Sequence, residues 1–301
     1  MRPKIGLALG SGAARGWAHI GILEGLAALG IVPQIVSGTS IGALVGAAFA
    51  TGKLDGLRKR IQDFRRRDVA ALLDVRLSTG GLIEGRRIDE FLDGLGIAGV
   101  IESFGTRFGA VATDLETGRE IWLQNGHLGS AVRASIGMPG VFSPTIYNNG
   151  TGWLIDGGLV NPVPVSLARA LGADVVIAVD LNSELVGRRF GQSEVAEPIA
   201  HAIPEGAPQW LKGSVGPLLE RVFQAGPNSP SYFDVLANTL NIMQDRITRM
   251  RLAGDPPDVL LCPRLGQFNW LDFHRAKEAI AAGVASIEAA EPMIRQVCRI
   301  A

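Results

Sequence analysis

The stretch Gly38-Thr39-Ser40-Ile41-Gly42 places a serine between two glycines at the spacing of a nucleophile on a sharp strand-to-helix turn. Ile35-Val36 ends a strand before it, and Ile41 to Ala50 reads as a helix of small residues stopped by Gly52. A serine at a helix N-terminus gains from the helix dipole as negative charge develops on a reacting carbonyl. It is equally suited to capping that helix, and the two readings are compatible. A nucleophilic hydroxyl needs a base, commonly a histidine oriented by a carboxylate. The histidines are His19, His127, His201 and His274, and none stands in an obvious catalytic setting.

Two other motifs bear on the same chemistry. Gly10-Ser11-Gly12-Ala13-Ala14-Arg15-Gly16 follows the short apolar run Ile5 to Leu9. A glycine-rich turn after a strand gathers successive backbone N–H groups in one small space, which suits an anion. Dinucleotide binding is a poor fit, because Arg15 stands where the third glycine of that fingerprint belongs and 31-IVPQIV-36 carries no acidic residue. No G-K-[ST] occurs, so a Walker loop is excluded. Losing one donor to an oxyanion costs roughly 3 kcal/mol in acyl transfer, and this loop reads best as such a donor set. Downstream, Asp156 ends the strand Trp153-Leu154-Ile155 and is followed by Gly157 and Gly158. An ordinary Asp-Gly turn is the competing reading. Each motif is common alone; all three at the ends of expected strands are a far rarer combination.

The elements that must position these residues follow an α/β order: strand, glycine loop, helix from Ala14 to Leu29, strand, serine turn, helix. Arg107 to Thr113 and Arg119 to Leu123 read as paired strands around Asp114 to Gly118. A helix is expected over Leu128 to Ile136, buried strands over Asp174 to Asp180 and Val259 to Cys262, and a closing helix over 272 to 289. Residues 54 to 67 form an amphipathic helix with Leu54, Leu57, Ile61 and Phe64 on one face. Its other face carries Arg58, Lys59, Arg60, Arg65, Arg66 and Arg67, a solvated surface or a contact for anionic lipid headgroups. No aromatic residues alternate with these charges, and the net charge is +0, so nucleic acid is not an expected partner. Between Asn182 and Tyr232 prolines and glycines replace clear periodicity, as in a flap or a disordered insertion. Cys262 and Cys298 lack metal-ligand spacing, and no cofactor or metal is expected; a reducing, cytoplasmic setting fits. No run of about 18 apolar residues suggests a spanning helix.

The combination resembles the patatin-like phospholipases, most closely their bacterial branch related to neuropathy target esterase. The residues that carry it are 9-LGSGAARGWAHIGIL-23, 38-GTSIG-42, 112-ATDLETG-118, 134-ASIGMPGVFSP-144, 155-IDGGLVNPVPV-165, 172-GADVVIAVDLN-182 and 272-DFHRAKEAI-280. The resemblance implies an α/β three-layer fold with a mostly parallel central sheet flanked by helices. It implies one domain over 1–301, with the Pro/Gly-rich insertion at about 183–232. It also implies a Ser–Asp dyad: Ser40 as nucleophile and Asp156 as direct proton acceptor. Backbone N–H groups of Gly10, Ser11, Gly12 and Ala13 would form the oxyanion hole, supported by Arg15 and Gly16. Gly38 and Gly42 would shape the serine elbow, and Gly157 and Gly158 the turn after the aspartate. Many members read G-G-G-x-x-R-G where this chain has Ser11, a change that keeps the backbone donors. Burial would raise Asp156 from a carboxylate's usual value of about 3.9 toward that of a useful base. The implied activity is a serine esterase of phospholipase A or lysophospholipase type, acting on a lipid or lysophospholipid at the inner membrane face. Two alternatives stay open: a catalytically silent regulatory protein, and an α/β-hydrolase whose triad uses His201 or His274.

Overall fold

A computed structural model describes residues 3–65, 68, 75–78, 81–83, 86–139, 141–147, 150, 152–185 and 232–300. In chain order its elements are β1 (Ile5–Leu9), α1 (Ala18–Ala28), β2 (Ile35–Thr39), α2 (Ile41–Ala50), α3 (Leu54–Gln62), β3 (Val75–Ser78) and β4 (Gly81–Ile83). Then come α4 (Arg86–Gly94), β5 (Arg107–Asp114), β6 (Glu120–Leu123), α5 (Leu128–Ser135), β7 (Thr145–Tyr147) and β8 (Gly152–Asp156). The chain closes with α6 (Val165–Ala170), β9 (Val175–Val179), α7 (Tyr232–Gly254), β10 (Val259–Leu261) and α8 (Ala276–Cys298).

The central sheet runs β10-β9-β1-β2-β5-β8-β7, with β6 also beside β5; β3 and β4 form a separate hairpin. β10, β9, β1, β2 and β5 are mutually parallel, while β6, β7 and β8 run antiparallel to their neighbours. Alternation along the strands divides the core between two faces. Leu7, Leu9, Ile177 and Val179 join the cluster under α1, α2 and α8. Ala8, Val176 and Ala178 face Val165 and Ala168 of α6 on the other side. Helices thus cover both faces of a parallel sheet, as its near-continuous apolar strands require.

The registers on β5 have a consequence for the site. Ala110 and Val111 pair with Gly38 and Thr39 of β2 and also with Leu123 and Trp122 of β6. A strand has two edges, so β2 and β6 lie on opposite ones. Ala112 pairs with both Ile121 of β6 and Asp156 of β8. β8 therefore occupies the same edge as β2. β2 ends with Thr39 opposite Val111, and β8 ends with Asp156 opposite Ala112. The C-terminal ends of two oppositely directed strands abut, one β5 residue apart.

Some boundaries differ from expectation. The segment after Gly12 begins as a 3-10 turn over Ala13–Trp17 before α1. α3 stops at Gln62 rather than continuing to residue 67. Leu57, Ile61 and Phe64 are buried as expected, but Phe64 N–H turns back tightly to Ile61 O (3.1 Å). Arg66 and Arg67, and most of the expected flap (186–231), lie outside the described residues. α8 runs well beyond residue 289, burying Ile294 and Cys298. α7 was not expected at all: Asn241, Gln244, Asp245 and Thr248 are buried on it beside Ala237 and Leu240, while Ile242, Met243 and Met250 are exposed. No described helix is long and apolar enough to cross a membrane.

α1 and α8 touch backbone to backbone. A Cβ on Gly21 would sit 2.0 Å from Ile280 O, and one on Gly283 would sit 2.1 Å from Ala18 O. Gly283→Leu must therefore push the helices apart, and it should destabilise the chain by about 1–3 kcal/mol or more in urea unfolding. Gly56→Ala, on an α3 position with open space around it, is the control expected to be neutral or stabilising.

Candidate active site

Ser40 ends β2 and begins α2 at φ 56°, ψ −123°, a backbone conformation that an L-residue rarely adopts. Strain of this kind costs roughly 1–3 kcal/mol and persists only where neighbours over-determine it. Here they do. Ser40 N–H donates to Ser135 Oγ (2.9 Å), which itself donates to Val111 O (2.6 Å). Ser40 O accepts from Ala43 N (2.9 Å). The start of α2 lies directly on the end of β1, where a Cβ at Gly42 would come within 2.1 Å of Leu9 O. The Ser40 side chain does not cap α2. Its hydroxyl donates instead to Asp156 Oδ2 at 2.7 Å.

Asp156 is buried at the end of β8. Its Oδ1 accepts Gly158 N–H (2.7 Å), while its main chain is held by Gly137 O and Thr113 Oγ1. Burial pushes its carboxyl up to about 6, against the opposing pull of the Ser40 hydroxyl and the Gly158 N–H. Both carboxylate oxygens thus have partners, and neither partner is an imidazole. His19 is buried against Gly10 O (2.8 Å), and burial lowers its pKa to about 4. His127 precedes α5, His274 lies in the 3-10 turn before α8, and His201 lies outside the described residues.

The glycine loop ends beside this pair. Two of its four expected donors are committed to the fold: Gly10 N–H to Val179 O (3.2 Å) and Ser11 N–H to Pro162 O (2.8 Å). Ala14 and Arg15 N–H groups go to Trp270 O and Gly12 O. That leaves Gly12 and Ala13, whose N–H groups have no backbone acceptor among the described residues. Ala13 sits at φ 49°. Gly16 lets the loop approach the elbow, since a Cβ there would lie 2.2 Å from Ile41 Cγ1. Arg15 is buried behind the loop, donating to Asn182 Oδ1 (3.1 Å) and Asn241 Oδ1 (3.3 Å). Burial lowers its pKa to about 10, while Asp180 and Asp272 oppose the shift.

Ser40, Asp156, Gly12 and Ala13 line one narrow cleft, walled by Met138, Leu159, Leu240 and Trp270. Leu240, Asn241 and Gln244 come from α7, which the sequence did not announce. Ser135 holds the elbow's main chain. No cluster of metal-ligating side chains occurs among the described residues. The arrangement can do acyl-transfer chemistry: a hydroxyl on a helix N-terminus, a base at hydrogen-bond distance and free N–H groups beside them.

A two-faced, mostly parallel α/β sheet with a serine elbow and a neighbouring aspartate defines a class of hydrolase-like folds. Residues 7–169 match the model of the patatin-like phospholipase family, and the chain belongs to that family. An uncharacterized NTE family protein of Mycobacterium tuberculosis is 33% identical over 330 aligned positions, covering 94% of this chain and 90% of the relative. The lysophospholipase NTE1 of Pyricularia oryzae is 27% identical over 93% of this chain and 18% of its own length. A patatin-like phospholipase domain-containing protein of Rattus norvegicus is 34% identical over 60% of this chain and 14% of its own length.

The Asp156 shift has a sign that stability can read. Its folded pKa of about 6 exceeds the ordinary unfolded value of about 3.9. Between these values the folded state holds more protons, so this group's contribution falls as pH rises, and above about 6 the buried charge is a full cost. Asp156→Asn removes that cost. The variant's Tm minus the wild-type Tm should be positive at about pH 8 and shrink toward zero by about pH 4, followed by calorimetry across the range.

Proposed function

We propose that the chain is a serine esterase that hydrolyses acyl esters of lipids, of phospholipase A or lysophospholipase type, through a Ser40–Asp156 dyad. The observation that carries this reading is the 2.7 Å hydrogen bond from the Ser40 hydroxyl to a buried carboxylate. Ser40 Oγ attacks the ester carbonyl carbon while its proton passes to Asp156 Oδ2. The tetrahedral oxyanion takes the N–H groups of Gly12 and Ala13 and the positive end of α2. Collapse breaks the bond to the alcohol, which leaves with the proton from Asp156. Water then attacks the acyl-enzyme, gives a proton to Asp156, and releases the acid; Asp156 returns that proton to Ser40 Oγ. A carboxyl near 6 suits both duties, since it is ionised at neutral pH yet basic enough to accept a proton. The walls from Met138, Leu159, Leu240 and Trp270 have the apolar character that an acyl chain requires. The family and the relative named lysophospholipase support a lipid substrate.

A fluorophosphonate probe should label Ser40, and Ser40→Ala should abolish the adduct. Asp156→Asn should lower kcat/KM on the order of 10^4-fold, whereas His201→Ala and His274→Ala should change it little. In wild type, kcat/KM should rise with pH through about 6 and then level. Folded protein without a Ser40 adduct would overturn the hydrolase reading; loss of activity with a histidine instead of Asp156 would overturn the dyad.

The same reading includes peripheral contact with anionic lipid at the inner membrane face through α3 and the residues after it. Arg58 is paired with Glu24 (3.0 Å) and Arg60 lies over the Phe64 ring (5.7 Å), while Lys59 and Arg65 are exposed. Sedimentation with phosphatidylglycerol vesicles should weaken as salt rises and fall when Lys59 and Arg65 become Glu.

A further inference from the structure

We propose that Gln244 presents its side-chain amide as a hydrogen-bond donor to the alcohol portion of the substrate, and so favours glyceryl esters over simple alkyl esters. This rests on the hydrolase reading above.

A chain of polarity fixes the orientation of this amide. Arg15 can only donate, and its NH2 group points at Asn182 Oδ1 (3.1 Å). Asn182 Nδ2 must therefore face the other way, where it meets Gln244 at 3.1 Å. A donor there requires Gln244 Oε1, which also accepts the Ser11 hydroxyl at 3.1 Å. Gln244 Nε2 is left on the opposite side. A Cβ on Gly158 would come within 2.5 Å of Nε2 and 2.9 Å of Asp156 Oδ1, so the amide lies over Gly158 beside the base. Only glycine leaves room for it. Gln244 lines the same cleft as Ser40 and Asp156, and no hydrogen bond from its Nε2 to a described residue accompanies the two that its Oε1 accepts.

Position assigns the partner. The carbonyl oxygen belongs on the Gly12 and Ala13 side. The alcohol must leave toward Asp156, which protonates it. A donor on the Asp156–Gly158 side therefore meets an oxygen of the alcohol, and a hydroxyl vicinal to the ester oxygen satisfies it. An alkyl alcohol offers no acceptor and leaves N–H groups in the cleft without one, the kind of mismatch that polar sites reject.

The test compares monooleoylglycerol with methyl oleate in the same detergent micelles and reads the ratio of their kcat/KM values. Gln244→Glu keeps an acceptor for Ser11 and Asn182 but removes the donor; Gln244→Met removes both. Each should lower the ratio about tenfold, while Ser11→Ala, which removes an anchor and keeps Nε2, should leave it within about twofold. A ratio that stays at the wild-type value in Gln244→Glu would overturn the proposal even if Gln244→Met fails to fold. So would an equal fall in Ser11→Ala and Gln244→Met, the signature of an anchoring role alone. Wild-type protein that hydrolyses neither ester and takes no fluorophosphonate at Ser40 overturns the hydrolase reading and this inference together. Hydrolysis of both esters with an unresponsive ratio overturns this inference only.

Discussion

A carboxylate buried at the end of a strand is costly, and the site is organised around keeping Asp156 there. Desolvation disfavours its charge; the Ser40 hydroxyl and the Gly158 N–H restore part of what water would supply. The result is a carboxyl poised between acid and base. More donors would hold it as an inert anion, and fewer would leave it protonated at neutral pH. In the proposed mechanism the serine is therefore both the group to be activated and part of what tunes its partner.

The elements around the pair act mainly to remove freedom from it. Ser40 is held in an unfavourable backbone conformation by Ser135, by the start of α2 and by the close seat of Gly42 on β1. The glycine loop is pinned on both sides of Gly12 and Ala13, so their N–H groups stay aimed while the neighbouring amides are consumed by the fold. Behind it, Arg15, Asn182, Asn241 and Gln244 join the loop to α7 through buried hydrogen bonds. Such networks are costly unless nearly every member is satisfied, and in return they specify one arrangement.

Much of this was legible because glycine marks close approach and apolar runs mark buried strands. β1, α2, β9 and the β5–β6 turn followed from such local signals. Local signals placed Ser40 and Asp156 each between a strand and a glycine turn, but their pairing followed only from the resemblance to the patatin-like family. α7 was not legible, since Asn241, Gln244, Asp245 and Thr248 share its buried side with Ala237 and Leu240, while Met243 and Met250 are exposed. Polar residues on the buried side weaken the apolar periodicity that marks a helix in sequence. Gln244 therefore carried no signal, although Asn182 stood at the end of a recognisable strand. The split of the loop into committed and free amides was likewise hidden, because Pro162 O and Val179 O come from distant segments. α8 extends beyond its expected end although Pro292, a residue that ordinarily stops or kinks a helix, lies inside it.

The edge of β5 shared by two strands has a kinetic meaning. Ser40 and Asp156 are separated by more than a hundred residues, so their meeting is a non-local event with a substantial loop-closure cost. Side chains alternate along a strand, so a slip of β8 by one residue against β5 would send the carboxylate to the opposite face of the sheet. A chain misaligned in that way could keep its helices and much of its core and still be inert. In the proposed mechanism, activity therefore reports on the alignment of β8 against β5.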